Sequence, residues 1–330
     1  MTDREQVLAV YTHVSAEALE EFLLRYDVGE LVSAKGIAEG VENSNYLVDT
    51  TNGRFILTLY EKRVAADDLP FFMAMLDHLA ARSQPVPPAI KDRNGVEIQT
   101  LGGRPACLIK FLPGVSLSSP TPAQAGAAGR AMADMHRALA DFAPTRANSM
   151  GVDTWRPLFE KCEHALDDIR PNFARDLNWA LDDVLAFWPP EDHLPKAAIH
   201  ADLFPDNVLM SGNTVTGLID FYFACTDIRA YDLAVMHTAW AFDAAGKPLD
   251  QGVGRSLLHG YHSRYPLSSA EQACLPVLCK GACVRFMLSR AWDWLNTPSD
   301  ALVTRKDPLA YWRRYEWYTD HSNVLAELNV

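Results

Sequence analysis

Apolar and polar residues in the first third of the chain alternate with the two-residue period of strands, interrupted by stretches with the helical period. The first helix is expected to begin at Ser15, a typical N-cap residue, and the strongest hairpin indication is the Asn52-Gly53 dipeptide between two alternating runs. The pattern therefore predicts a small antiparallel sheet with an inserted helix. Its predicted strands are 45–49, 54–60, 96–100 and 104–111, and its predicted helices are 15–26 and 67–82.

The remainder of the chain is dominated by amphipathic helical patterns. A cap followed by a proline, Thr121-Pro122, opens the first of these helices. We therefore expect an α+β protein with a β-rich lobe at 1–111 and a larger helical lobe at 112–330, and the gap between such lobes is the usual place for a ligand. The predicted helices are 121–141, 157–169, 177–188, 231–242, 253–265, 271–295 and 308–319, and the predicted strands are 197–199, 208–210 and 215–219.

Composition narrows the function classes. The chain of 330 residues carries 30 Lys and Arg against 42 Asp and Glu, a net charge of −12, so bulk charge disfavours binding to nucleic acid or to an anionic membrane. No apolar run approaches the length of a membrane span, and the first ten residues do not resemble a secretory leader. The six cysteines are scattered, which favours buried thiols in the reducing cytoplasm. Nothing in the composition indicates an oligomeric state.

The most informative stretch is IHADLFPDNVL. It delivers His200 and Asp202 into a loop, places Asn207 before a strand, and is followed by a turn and a second strand that ends at Asp220. Phosphoryl transfer needs a carboxylate beside the attacking hydroxyl and oxygen ligands that hold Mg²⁺ on the nucleotide phosphates. Asp202 suits the first task, while Asn207 and Asp220 suit the second because the predicted hairpin brings them together. His200 is expected to orient the loop.

These motifs resemble the aminoglycoside-phosphotransferase and choline-kinase branch of the protein-kinase-like fold. Two further matches are GRAMADMH, which ends in His136, and YDLA, which contains Asp232. The resemblance implies a two-lobe fold, ATP and Mg²⁺ as cofactors, and Asp202 and His200 as catalytic-loop residues. His136 and Asp232 are interpreted as buried hydrogen-bonding anchors of the helical lobe.

The same resemblance places the nucleotide in the N-terminal lobe. The segment 36–46 lies where the family has its phosphate-covering loop, and the lobe junction lies where its main chain meets the adenine. The implied nucleotide-binding residues are Gly40, Asn43, Ser44, Asn45, Thr58, Phe111 and Leu112.

Thr58 is also a departure from the family. It stands where related kinases place a phosphate-pairing Lys or Arg, and the following helix has Leu69 to Phe72 near the position of the expected Glu partner. Losing both partners together avoids a stranded buried charge. Lys62 and Lys110 are alternatives for the missing cation, although solvated lysines are the simpler interpretation.

Within this superfamily the chain most resembles the bacterial homoserine kinases, in stretches that include GIAEGVENSNYLVDTTNGRFILTLYEK and RFMLSRAWDWLNTP. The resemblance implies ATP-dependent phosphorylation of the side-chain hydroxyl of L-homoserine. An amino-acid substrate requires an Arg for its carboxylate and an aromatic or acidic group for its ammonium. The candidates are Arg285, Arg290, Tyr222 and Trp240. Arg285 and Arg290 diverge by roughly 140° on a helix, so they cannot both face the cleft. Arg285 is favoured, because Arg290 lies closer to Trp292 and Trp294 and could pair with Asp293 or Asp300 on the outside.

Three alternatives remain open. A choline or ethanolamine kinase calls for an aromatic and acidic site without Arg, and an aminoglycoside kinase calls for a broad acidic site, which the net charge would suit. A non-catalytic nucleotide-binding protein is suggested by Thr58, whereas the retained Asp202, Asn207 and Asp220 argue against it.

Overall fold

The computed structural model describes residues 12–37, 43–61, 65–190, 192–297 and 305–321. These residues belong to two compact units, 12–113 and 114–321. The first is an antiparallel sheet with two helices and the second is larger and mainly helical, so the α+β class is confirmed. Within the described part of the chain, no helix has the length and apolarity needed to cross a membrane.

The N-terminal sheet has five strands in the order β1-β2-β3-β5-β4, and every neighbouring pair is antiparallel. The predicted β2–β3 hairpin is present; its turn is Thr51-Asn52, between the paired residues Thr50 and Gly53, and Gly53 has a positive φ of 151° that favours glycine. The elements are α1 Ala16–Leu23, β1 Leu31–Ile37, β2 Asn43–Thr50, β3 Gly53–Tyr60, α2 Leu69–Ala81, β4 Gln99–Leu101 and β5 Arg104–Lys110.

Strand alternation gives this sheet two different faces. One face packs Tyr46 and Leu57 against Phe22 of α1 in the core of the unit. On the opposite face Cys107, which pairs with Thr58 across β3 and β5, has its Sγ 3.9 Å from the Sδ of Met73 on α2. The polar residues of β2 are therefore divided between two environments.

The C-terminal unit is built around helix α6, all of whose residues are buried. Small residues allow two other helices to approach closely, since a Cβ added to Gly129 of α3 would lie 2.2 Å from the carbonyl oxygen of Leu257 on α7. Two short antiparallel ribbons, β6–β9 and β7–β8, carry the loops discussed below. The elements are α3 Pro122–Ala138, α4 Val152–Cys162, α5 Phe173–Phe187, β6 Lys196–Ile199, β7 Val208–Ser211, β8 Thr214–Leu218, β9 Cys225–Ile228, α6 Arg229–Trp240, α7 Gln251–Arg264, α8 Ser269–Asn296 and α9 Leu309–Asp320.

Three elements differ from the sequence pattern. Strand β1 was not predicted, because most of its residues are exposed and it lacks an alternating apolar face. Strand β9 was also missed, since its four residues are too few for a periodic pattern. Helix α4 begins at Val152 and contains Pro157 in its interior, so the expectation that Pro157 opens the helix is wrong.

Candidate active site

The loop after β6, residues 200–207 and here named the catalytic loop, is held by one buried carboxylate. Asp232, in the first turn of α6, accepts hydrogen bonds from the backbone N–H groups of His200 at 2.8 Å and Ala201 at 2.7 Å. Ala201 has a positive φ of 62°, a conformation that L-residues rarely adopt. The two hydrogen bonds from consecutive amides to one side chain stabilise this bend, which presents the next residue, Asp202, from the loop.

Asp232 is itself part of a buried chain of hydrogen bonds. Its Oδ2 lies 2.9 Å from Nε2 of His136, whose Nδ1 lies 2.8 Å from the hydroxyl of Tyr261. Burial by itself raises the pKa of Asp232, but the hydrogen bond from His136 and the nearby histidines and amides lower it below its usual value. The carboxylate therefore stays ionised as an acceptor for the loop amides.

The ring of His200 is committed to the loop backbone on both sides. Its Nε2 lies 3.0 Å from the carbonyl oxygen of Ile219, and its Nδ1 accepts the backbone N–H of Asp202 at 3.3 Å. These contacts assign the Nε2–H tautomer, and burial lowers the pKa of His200 below its usual value. The neutral, buried ring links Asp202 to the strand end at Ile219, which suits an orienting group rather than a proton acceptor.

Asn207 and Asp220 are brought together by the β7–β8 ribbon. Val208 pairs with Leu218, and the N–H of Ile219 donates to the carbonyl oxygen of Asn207 at 3.0 Å, so Asp220 follows directly after the residue bonded to Asn207. Asp220 is exposed and has a positive φ of 66°. A strand end that bends in this way turns the Asp220 backbone out of the ribbon.

The amide of Asn207 also connects to Asp202. Its Nδ2 donates to the carbonyl oxygen of Asp202 at 2.8 Å, which leaves the Oδ1 as the side-chain oxygen that a cation can use. One amide oxygen and one carboxylate form an all-oxygen donor set, and Mg²⁺ commonly takes one or two protein ligands and completes its shell with phosphate oxygens and water. The described residues fit such an ion, and they contain no cluster of three His, Cys, Asp or Glu side chains that would hold a metal alone.

The substrate assignment of Trp240 is corrected by its position. Its side chain is fully buried, and its Nε1–H donates to the carbonyl oxygen of Leu203 at 2.9 Å. Because the indole nitrogen is its single polar group and is already bonded, Trp240 supports the catalytic loop from within the core. Tyr222 is half-buried in the short 3₁₀ turn directly after Asp220 and remains a candidate.

The preference for Arg285 as the carboxylate contact is also not supported. Arg285 is 2% exposed and its Nη1 donates to the carbonyl oxygen of Ala201 at 2.5 Å. Its guanidinium carbon lies 4.5 Å from the centroid of the Phe286 ring. Arg285 therefore holds the catalytic loop from α8. It donates to the carbonyl oxygen of Ala201, whereas Asp232 accepts the N–H of Ala201.

Of the two candidate arginines, Arg290 has the environment that better fits a ligand. It is half-buried, its Nη1 donates to the carbonyl oxygen of Asp307 at 3.3 Å, and its guanidinium carbon lies 4.5 Å from the ring centroid of Tyr311. The suggested surface pairing of Arg290 with Asp293 is not what the structure gives, and Asp300 lies outside the described residues. Burial lowers the pKa of Arg290, while the negative charge of Asp202 raises it.

Strand alternation separates the nucleotide candidates of β2. Ser44 is fully buried, donates from its Oγ to Oε1 of Glu61 at 2.8 Å, and accepts the backbone N–H of Thr12 at 3.0 Å. Arg104 lies 3.3 Å from the other oxygen of Glu61. The Ser44 hydroxyl is thus part of an internal network, so the expectation that it contacts phosphate is not supported.

Asn45 and Thr58 lie on the other face. The Oγ1 of Thr58 donates to Oδ1 of Asn45 at 2.8 Å, and Thr58 is 2% exposed, so the position expected to hold a Lys or Arg is closed by a neutral hydrogen bond. Asn43 is buried, and its Oδ1 has no hydrogen-bond partner among the described residues. Gly40 lies outside the described residues, as does Lys62.

The residues at the expected hinge follow β5 directly. Phe111 and Leu112 are both half-buried, and the guanidinium of Arg54 lies 5.4 Å from the Phe111 ring centroid. Lys110 is exposed at the end of β5, where it pairs with Phe55 across the sheet. Both hinge candidates therefore retain accessible surface for a planar ligand.

Sequence reasoning missed a group of residues that packs behind the loop. Phe204 contacts Phe286 edge to face at 5.1 Å, and Phe286 stacks on Tyr311 at 4.8 Å. Arg314 of α9 lies 4.2 Å from the same Tyr311 ring. Phe204 and Phe286 lie within IHADLFPDNVL and RFMLSRAWDWLNTP, but neither stretch indicated a role for these side chains. The aromatic and cationic YWRRY run of α9 is the signal that could have indicated Tyr311 and Arg314.

Comparison with known proteins agrees with this geometry. Residues 33–267 match the model of the phosphotransferase enzyme family. A homoserine kinase of Acidiphilium cryptum is 51% identical over 311 residues, covering 94% of this chain and 97% of that protein. A homoserine kinase of Zymomonas mobilis is 49% identical over 317 residues, covering 96% and 98%.

The chain belongs to the homoserine kinases of the phosphotransferase enzyme family. It is accordingly a kinase, and its cofactor is ATP. The resemblance found in the sequence is thereby confirmed.

Solved structures extend the likeness of this kinase to the fold. The amicoumacin kinase hAmiN, in complex with AMP-PNP, Ca²⁺ and Ami, has a TM-score of 0.69 at 15% identity and covers 94% of each chain. A microcompartment-associated aminopropanol kinase has a TM-score of 0.60 at 22% identity, covering 95% of this chain and 98% of its own. At these identities the kinase shares the fold of its structural neighbours.

Proposed function

We propose that this chain transfers the γ-phosphoryl group of ATP to the side-chain hydroxyl of L-homoserine, which gives O-phospho-L-homoserine and ADP. The observation that carries the proposal is the identity of about half of all residues with curated homoserine kinases along nearly the full chain. The arrangement of Asp202, Asn207 and Asp220 supports it, since one loop and one ribbon offer a carboxylate for the acceptor hydroxyl and an amide and a carboxylate for a metal ion.

Asp202 is proposed to orient the acceptor hydroxyl and to take its proton as the oxygen bonds to the γ-phosphorus and the bond to the β–γ bridging oxygen breaks. The backbone of Asp202 is fixed from two sides, by Nδ1 of His200 at its N–H and by Nδ2 of Asn207 at its carbonyl oxygen. A loop fixed in this way holds the carboxylate in one position before the substrate arrives, which lowers the entropic cost of the step.

Asn207 and Asp220 are proposed to hold Mg²⁺ through one amide oxygen and one carboxylate. The ion, when bound, neutralises charge on the nucleotide phosphates and orients them. The hydrogen bond from the N–H of Ile219 to the carbonyl oxygen of Asn207 supports this role, because it keeps Asp220, the residue after Ile219, close to Asn207.

In the N-terminal unit, Asn43, Asn45, Phe111 and Leu112 are proposed to contact the nucleotide. Asn43 offers a buried amide whose oxygen has no partner among the described residues, and the hinge pair offers half-buried apolar surface. Thr58 contributes by orienting Asn45.

A coupled assay of ADP release over L-homoserine, choline, ethanolamine and kanamycin tests the acceptor. We expect turnover with L-homoserine at a kcat/KM at least 10²-fold above the other three, a ratio that corresponds to about 2.7 kcal/mol. Preferential turnover of choline, ethanolamine or kanamycin would replace the homoserine assignment, and absence of turnover with all four would favour a nucleotide-binding protein without this activity.

A further inference from the structure

Three buried or half-buried arginines lie close to the catalytic loop: Arg285, Arg290 and Arg314. Their hydrogen bonds go to main-chain carbonyl oxygens, namely those of Ala201, Asp307, and both Thr238 and Asp243. Within the described residues, none of the three forms an ion pair with a carboxylate. A concentration of guanidinium charge without acidic partners is a site that favours an anion.

The three arginines are not equivalent. Arg285 and Arg314 are 2% and 4% exposed; their Nη atoms donate to main-chain carbonyl oxygens, and each keeps a buried Nε without a partner among the described residues. Arg290 is half-buried and so more exposed than the other two, and its single hydrogen bond within the described residues runs from Nη1 to the carbonyl oxygen of Asp307. Of the three guanidinium groups, that of Arg290 therefore has the most accessible donors for a ligand.

Packing places Arg290 beside the catalytic loop. Phe286 and Arg290 are one helical turn apart on α8 and share a face. Phe286 contacts Phe204, whose N–H donates to the carbonyl oxygen of Asp202 at 2.8 Å. Asp202 also raises the pKa of Arg290, although its effect is smaller than those of burial, Tyr311 and Arg314, and this agrees with the proximity.

The orientation of Arg290 is set by Tyr311. The Tyr311 ring stacks on Phe286 with an angle of 24° between the planes, and the guanidinium carbons of Arg290 and Arg314 lie 4.5 and 4.2 Å from its centroid. A guanidinium resting on an aromatic ring keeps its edge free for hydrogen bonds in the plane. Tyr311 thus acts on Arg290 as a positioning residue.

We infer that Arg290, seated on Tyr311, binds the carboxylate of the amino-acid acceptor and thereby sets the specificity of the kinase for a hydroxyl-bearing amino acid over an amino alcohol. The inference rests on the proposed function. A short aliphatic chain separates the hydroxyl of homoserine from its carboxylate, so a hydroxyl at Asp202 requires a carboxylate receptor at the neighbouring Arg290. Arg285, in contrast, positions the loop.

The test compares L-homoserine with 3-aminopropan-1-ol, the same molecule without its carboxylate. In Arg290→Lys we expect kcat/KM for L-homoserine to fall roughly 10- to 100-fold, mainly through KM, because the bidentate contact is lost. The kcat/KM for 3-aminopropan-1-ol should change less than about threefold. If the wild type does not detectably turn over the amino alcohol, the affinity for Mg-ATP by calorimetry takes its place and should be unchanged.

Matched variants separate specificity from folding. Arg285→Lys should lower turnover of both acceptors by the same factor, and Arg264→Lys, an exposed arginine of α7, should change neither. Tyr311→Leu should raise the KM for L-homoserine, and Tyr311→Phe, which keeps the ring, should restore it. The inference is overturned if Arg290→Lys affects both acceptors equally or leaves the homoserine KM unchanged. A wild type that does not prefer L-homoserine would instead overturn the proposed function.

Discussion

The catalytic loop of the C-terminal unit and strand β2 of the N-terminal unit are both rich in polar residues, yet they use them differently. In the loop, Asp202 and Asn207 remain near each other because Asp232 of α6 holds the backbone of His200, the ring of His200 accepts the N–H of Asp202, and Asn207 donates to the Asp202 carbonyl oxygen. In β2, Ser44 and Asn45 are adjacent but point to opposite faces. Proximity in sequence is therefore informative in the clamped loop and misleading in the strand.

The largest expected effect is that of Asp202→Asn. The amide cannot accept the hydroxyl proton, so kcat should fall by roughly 10²-fold or more while Mg-ATP binding persists. Asp206→Asn, at an exposed position of the same loop, is the matched control and should retain turnover. Near-normal kcat in Asp202→Asn would show that Asp202 does not accept the hydroxyl proton.

The next effect concerns the metal ligands. Asp220→Ala should weaken Mg-ATP binding by about tenfold or more, the loss of one charge-assisted contact. Titration calorimetry with and without EDTA measures it, and chelation should bring the wild type to the level of the variant. Equal Mg-ATP affinity in both proteins before chelation would remove Asp220 from the metal site.

A matched pair on β2 sharpens the comparison directly. Asn45→Ala should raise the KM for ATP several-fold, whereas Ser44→Ala should leave it unchanged and lower the free energy of unfolding by about 1–3 kcal/mol, because Glu61 and Thr12 lose a buried partner. ATP titrations and urea unfolding separate the two outcomes. A rise in the ATP KM in Ser44→Ala equal to that in Asn45→Ala would contradict the division between faces.

The smallest effect is a pH dependence of stability. Burial lowers the pKa of His237 from 6.5 to about 4, and its Nδ1 lies 2.6 Å from the hydroxyl of Tyr318. Since the folded pKa is the lower one, stability is complete above pH 6.5 and is lost as pH falls toward 4, by at most roughly 1.4 kcal/mol per pH unit.

His237→Gln should flatten this dependence relative to the wild type. Urea unfolding at several pH values measures the difference, which isolates His237 from His200, whose pKa is also lowered by burial. Parallel pH profiles in the two proteins would contradict the assignment.

The parts of the fold that sequence predicted well share a physical basis. The β2–β3 hairpin followed from Asn52-Gly53, and the convergence of Asn207 and Asp220 followed from a short ribbon whose register a tight turn determines. Both depend on local geometry within a few residues, which the chain specifies directly.

The remaining site features depend on tertiary packing. Trp240 and Arg285 are residue types that a substrate site is expected to contain. In the fold, however, they donate hydrogen bonds to the carbonyl oxygens of Leu203 and Ala201, which are far away in sequence. Tyr311 and Arg314 lie on α9 without any motif, so only the packing of α9 near α8 reveals them. Helical periodicity predicts that such residues are buried, and it does not say which loop they meet.

The backbone of Ala201 has a consequence for redesigning the acceptor range of this kinase. Its N–H is fixed by α6 and its carbonyl group by Arg285 of α8, the helix that also carries Arg290. Libraries that vary α8 to admit new alcohols will therefore change two properties at once: which acceptor is bound, through Arg290, and how fast every acceptor is turned over, through Arg285. Libraries that vary α9, which reaches the acceptor arginine through the ring of Tyr311, offer a route to new substrates that leaves the loop attachments in place.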